Sequence, residues 1–211
     1  EQSRMKLYKP GHVLKVMSDG ELLGSRQHQA LLQQVFDMSQ LDRAEFTLLY
    51  DPVITSFVEF VQLMPTSMDG FLSSLLNESL ARATIAMRTY TAEYTDRIDP
   101  LMNYAIFTAA LLRQVSKMVT LYRIVLCKEK GNYIDDWYPF DGSMNRHAEF
   151  YKIYPLAPLY QRLDVSITPM LARQLMPKQG FDWLTADLLV FADWLDALQG
   201  QGGFGGIICH V

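Results

Sequence analysis

Cysteine is nearly absent: the 211 residues hold two, Cys127 and Cys209, far apart and in no metal-type spacing. That excludes a disulfide framework and a cysteine zinc site, and it points to a reducing compartment. Long apolar runs are also missing. The stretch from Ala105 to Leu112 falls well short of the roughly 18 to 20 residues that a bilayer span needs. The N-terminus has no basic, then apolar, then small-residue succession of a secretory signal. Because it starts at Glu1 rather than Met, a fragment is expected. Positive charge is scarce too. A net charge of -4 and a pI of about 5.5 set the whole-molecule field against a polyanion. The nearest basic cluster, Lys128-Glu129-Lys130, is interrupted by an acid and reads as a solvated helix end. The histidines, His12, His28, His147 and His210, never pair on one helix, so each reads as an ordinary surface or core residue. No glycine loop lies between a strand and a helix to cradle phosphate.

What is present is apolar surface. Hydrophobic residues make up 49% of the chain and aromatics 12%, with eleven Met, enough for one continuous core. An extended piece is expected at His12 to Met17, between the turns Pro10-Gly11 and Asp19-Gly20. Helices are expected after Ser25, after Asp42 with a new turn at Asp51-Pro52, and after Asp69-Gly70 as far as Tyr94. Asp99-Pro100 opens the most apolar helix, which the pattern carries through Tyr122, Val125 and Leu126, with Cys127 on it as a small core hydrophobe. Further helices are expected near Ala157 to Leu163, from Thr168-Pro169 and from Thr185. The fold class read from this is all-α or nearly so, a single-domain helical bundle with a long aromatic loop or small hairpin over 130–150. The organisation is an extended 1–20, a helical domain over 21–199 and a Gly-rich flexible stretch over 200–211 that begins a further segment.

Two constellations deserve chemical weight. Trp137, Tyr138 and Phe140 in the excursion are candidate interface anchors, because exposed aromatics supply much of the energy at protein interfaces. A loop folded onto the core explains the same residues equally well. Asp135, Asp136, Asp141, His147 and Glu149 could form a carboxylate-plus-histidine site for a metal or an acid-base pair, although solvated turn acids are the simpler reading.

Several patches in shared order carry a family resemblance: Leu22-Leu23, His28, Leu31-Leu32, Phe46, Leu49-Tyr50-Asp51-Pro52, Phe57 to Gln62, Gly70-Phe71-Leu72, Ala109 to Leu112 with Lys117, Tyr151-Lys152-Ile153, Phe181 to Leu184 and Trp194 to Leu198. From about residue 11 onward the chain resembles the N-terminal TraI-type domain of MobH-class conjugative relaxases. That domain is similar to the HD phosphohydrolases, in which histidines and aspartates hold divalent metal to activate water, so the bundle is expected to be HD-like. At the positions where the resemblance implies ligands, this sequence has Ser74 for the first histidine, Arg113-Gln114 for the His-Asp pair and Tyr154 for a later histidine, with Ser116 for the glycine before Lys117.

A guanidinium offers donors only and repels a divalent cation, so the resemblance implies a degenerate site with no catalytic residue, no metal and no cofactor. The expected role is a non-catalytic scaffold or adaptor in a type IV secretion or conjugation machine, of the kind filled by an accessory subunit of a Dot/Icm-type coupling complex. Its partners would be coupling-complex proteins, with nucleic acid disfavoured, in the cytoplasm or at the cytoplasmic face of a membrane-bound secretion complex. Two alternatives stay open: a relaxase-related nucleic-acid-processing accessory, and a residual metal-dependent phosphohydrolase working from Asp135, Asp136 and His147.

Overall fold

The computed structural model describes residues 6–208; Cys209, His210 and the outer ends of the two terminal segments lie outside the described residues. The expected extended piece carries β1 (Leu14–Lys15), followed by the short α1 (Asp19–Leu22). The cap residues then do their work. Ser25 Oγ accepts the His28 N–H at 3.1 Å to open α2 (Arg26–Ser39). An Asp42 carboxylate oxygen accepts the Glu45 N–H at 2.8 Å to open α3 (Arg43–Val61). Pro52 sits inside α3 and does not restart it. Beside the carbonyl that Pro52 leaves without an N–H donor, the Leu49 carbonyl takes the Tyr104 hydroxyl at 2.9 Å, so a tertiary contact supports the weak point.

Beyond α3 the chain folds back on itself before α4 (Ser74–Glu93), which starts later than the Asp69-Gly70 signal suggests. The Ser73 and Leu75 N–H groups find the Leu63 and Met64 carbonyls at 2.9 and 3.1 Å, and this satisfies donors that no side chain caps. Asp99 and Pro100 open α5 (Pro100–Leu112), whose residues from Asn103 to Leu112 are all buried, with α4 and α9 (Leu188–Leu198) packed along it.

The expected long apolar helix ends at Leu112. A short α6 (Lys117–Thr120) follows, and then the pattern belongs to β2 (Tyr122–Cys127), an inner strand buried at every position except Arg123. A strand covered on both faces loses its alternation, so a short apolar run of this kind reads equally as buried helix. Cys127 therefore lies on a strand, and Lys128-Glu129-Lys130 is the turn to β3 (Tyr133–Asp136) rather than a helix end. With β4 (Phe150–Pro155) the four strands form an antiparallel sheet in the order β1-β4-β2-β3, in which Ile124 faces Ile153 and Leu14 faces Tyr151. The chain is thus mostly helical with a small sheet, not all-α, and the 130–150 excursion is a hairpin arm plus two 3-10 turns, Pro139–Asp141 and Met144–Arg146.

After a 3-10 stretch at Pro158–Leu163, α7 (Asp164–Leu175) begins ahead of Thr168-Pro169 and holds Pro169 inside it. α8 (Lys178–Ala186) leads to α9, whose cap is Asp187 rather than Thr185: one Asp187 oxygen accepts the Leu189 and Val190 N–H groups, both at 3.2 Å. The glycine-rich stretch, expected as a flexible run, packs back on α9 with Phe204 and Ile208 buried. Gly203 makes this approach possible, since a Cβ there would collide with the Asp193 carbonyl. Helices and sheet share one core, with Tyr50, Phe57, Tyr104, Phe107, Tyr151 and Trp194 among its largest side chains.

Candidate functional site

Two features stand out, a charged cleft at the end of α5 and an apolar face on the hairpin. Three of the four residues read as replaced metal ligands gather near the cleft. Ser74 Oγ accepts the Thr66 N–H at 2.8 Å, and the Lys117 ammonium donates to the Thr66 carbonyl at 2.9 Å, so a single residue ties the start of α4 to α6. Arg113 closes α5, where a cation suits the negative end of the helix dipole. Its guanidinium makes only a long 3.4 Å contact to the Ile208 carbonyl among the described residues. Gln114 follows, with Oε1 buried and unpartnered. The fourth residue, Tyr154, lies elsewhere: it faces Arg123 across the sheet, its ring rests on Gly11, and it lines neither cleft cavity.

Two adjoining cavities, of about 250 and 350 Å3, share Lys117 and Asp164 in their walls. Asp164, at the start of α7, accepts the Thr120 hydroxyl at 2.6 Å. Burial pushes the Lys117 ammonium below the usual lysine range, with Arg82 adding to the shift and Glu78 and Asp164 opposing it. Arg82 is depressed in the same way by burial and by Arg113, with Glu78 opposing, and its Nη1 is buried without a partner. The sequence reading passed over Arg82 and Glu78. The signal was there, because Ser74, Glu78 and Arg82 recur every four residues and share one stripe of α4.

On the hairpin, Trp137 must be corrected from a surface anchor to a core residue. It is 5% exposed, its ring centroid lies 5.3 Å from that of Phe60, and Nε1 donates to the Gly142 carbonyl at 2.8 Å. Tyr138 and Phe140 stay exposed, and they are joined by Tyr133 and Ile134 on the edge strand β3, which the loop reading had not separated out. The acids of the excursion do not converge. Asp136 is occupied by Arg123 through contacts of 2.8 and 3.2 Å, and this guanidinium holds its carboxyl below the usual range. Among the described residues no three His, Cys, Asp or Glu side chains form a group able to hold a metal ion. Cys127 is buried, and burial raises its thiol pKa, with Lys152 opposing. Among the described residues, no helix is long and apolar enough to cross a membrane.

A family model, TraI_2, described as "Putative helicase", matches residues 12–209. No curated protein matches the chain.

Proposed function

The chain belongs to the TraI_2 family, and from that membership we propose a non-catalytic, protein-binding role in a conjugation-related or type IV secretion machine. The observation that carries it is the hairpin face. Tyr133 and Tyr138 are 61% and 57% exposed, Ile134 and Phe140 both 47%, while Trp137 beneath them is rooted in the core. Rigidly supported aromatics of this kind lose little conformational entropy on docking and make good anchors. The edge of β3 adds backbone donors and acceptors for a partner strand. The partner class this reading favours is a protein subunit of a coupling complex, as in Dot/Icm-type systems, and the finer kinship with MobH-class relaxases and the HD-like ancestry belong to the same proposal.

Absence of catalysis is part of it, resting on the chemistry of Arg113 and Gln114 where the resemblance calls for ligands. Metal analysis of the purified chain with a phosphodiesterase and nucleotidase screen tests that part, and stoichiometric metal with turnover would overturn it. For the docking face, a Tyr138→Ala/Phe140→Ala variant should keep its helicity by circular dichroism and lose partners recovered with the native chain by pull-down and mass spectrometry. Unchanged recovery removes this face from the proposal.

A second reading, a nucleic-acid-processing accessory, is favoured by one surface. A cavity of about 580 Å3 is lined by Lys6, Lys9 and His12 beside Tyr8 and Phe71, with no carboxylate among the described residues that line it. Basic groups next to aromatic faces suit a single strand. Single-stranded DNA binding that weakens with salt and is lost in Lys6→Ala/Lys9→Ala would support it, and no binding at physiological ionic strength would remove it.

A further inference from the structure

We propose that the cleft between the α5–α6 turn and α7 binds a phosphate group, either free or as the monoester of a nucleotide, through Arg113 and Lys117, with the Arg82 guanidinium on α4 adding positive charge nearby. The inference does not rest on the docking reading, since it concerns a different face and a small ligand.

Three cations meet here. Among the described residues none of them has a carboxylate within 4.0 Å, whereas Lys15, Arg123 and Lys178 on the surface all do. The acids that act on Arg82 and Lys117 are Glu78 and Asp164, one fewer than the three cations, while Asp69 lines only the adjoining cavity. A half-buried guanidinium held beside another guanidinium and an ammonium is costly unless negative charge nearby offsets it. Arg113 is well suited to supply the recognition. Its planar fork binds phosphate oxygens two at a time, and its single protein contact is long and weak.

The surroundings fit an oxyanion rather than a metal ion. Ser116 brings a hydroxyl to the same 250 Å3 cavity as Arg113 and Lys117, and Gln114 lines it too, whereas the Thr168 hydroxyl is spent on the Asp164 carbonyl at 2.7 Å. A bare phosphate fills only part of that space. The adjoining cavity of about 350 Å3, with Lys117 in the shared wall, leaves room for the rest of a nucleotide.

The test is thermal unfolding and calorimetry of the whole chain with inorganic phosphate and with adenosine monophosphate, against sodium chloride at matched ionic strength. A saturable rise in the unfolding midpoint with either phosphate compound, absent in chloride, is expected. Tighter binding of the nucleotide assigns the monoester, and equal binding assigns the free ion. Arg113→Gln should weaken the affinity by about ten- to a hundredfold, the usual loss for a hydrogen bond to a charged group. Lys178→Gln on α8, which lines neither cleft cavity, should leave it unchanged. Each variant is read against its own midpoint in chloride, so an intrinsic change in stability does not enter, and Arg113→Lys separates charge from fork geometry by retaining part of the effect. A rise of equal size in chloride, or undiminished affinity in Arg113→Gln, overturns the proposal.

Discussion

Helix α5 and the turn that follows it are adjacent in the chain and opposite in character. From Asn103 to Leu112 the helix is buried, and its polar side chains are neutral: Tyr104 donates to the Leu49 carbonyl, and Thr108 accepts from Trp194 Nε1 at 3.0 Å. Where atoms are orphaned in the surrounding core they belong to hydroxyls and an amide, as in Tyr50, Tyr122 and Asn103. Such a group costs roughly 1–3 kcal/mol, which a large apolar core can absorb. In the turn and beside it the groups are Arg113, Lys117 and Arg82, and here the orphans include, with the Gln114 amide oxygen, a guanidinium nitrogen of Arg82. Burying unpaired charge costs more than burying an unpaired hydroxyl. The difference teaches where stability governs the sequence and where another demand does.

The largest test of that contrast is alkaline. Tyr50, Tyr104, Tyr122 and Tyr151 are buried, and burial above all raises each phenol well past its ordinary value. A group with a raised folded pKa contributes stability that is complete below its unfolded pKa, about 10 for tyrosine, and that is lost as pH climbs above it. Each tyrosine removes roughly 1.4 kcal/mol per pH unit in that window, so together they exhaust a typical domain stability of about 5–15 kcal/mol within a few units. Helicity and tyrosinate absorbance should therefore change in one cooperative step. Ionisation of these four while helicity persists would show that the core does not exclude the charged form.

A smaller effect is expected at Gly180 on α8. A Cβ there would run into the Tyr104 hydroxyl, the same group that supports Leu49. Alanine gains up to about 1 kcal/mol of helix propensity over glycine, but overpacking a rigid neighbour costs about 1–3 kcal/mol and endangers the hydrogen bond. Gly180→Ala should lower the urea midpoint, and adding Tyr104→Phe should relieve part of the loss. If the single variant is as stable as the native chain, the core around α5 yields more readily than its packing implies.

How much of this was legible in the sequence depends on the type of signal. Side-chain caps acting on the next few residues were readable, and Ser25, Asp42 and Asp99 start helices in the structure. Signals that depend on distant contacts were not. Pro52 looks like a restart, yet α3 passes through it. Ile124-Val125-Leu126 reads as a continuing helix because its neighbours in the sheet, β3 and β4, lie further along the chain. The same limit applies at the sites. Arg113 and Gln114 could be singled out by resemblance, whereas Arg82 and Asp164 join them only through the packing of α4 and α7. Trp137 and Tyr138 are neighbours in sequence, but one is core and the other surface, a distinction that composition alone does not make.

The smallest expected effect sharpens the comparison most, because its sign is opposite. Lys117 has a folded pKa below the ordinary lysine value, chiefly from burial, with Arg82 reinforcing and Glu78 and Asp164 opposing. Its folded state thus releases the proton before the unfolded state does. In the window from that depressed value up to the unfolded pKa of about 10.4 the unfolded chain binds more protons, so the Lys117 contribution to stability rises with pH. In Lys117→Met this contribution is gone, while the downward pull of the four tyrosines remains. Urea unfolding of both proteins at stepped pH should show the native chain gaining on the variant as pH approaches about 10, before tyrosine ionisation dominates both. A constant difference between the two across that range would mean that Lys117 is not under charge pressure from Arg82 and burial, and the cleft would then resemble the ordinary surface rather than a site waiting for an anion.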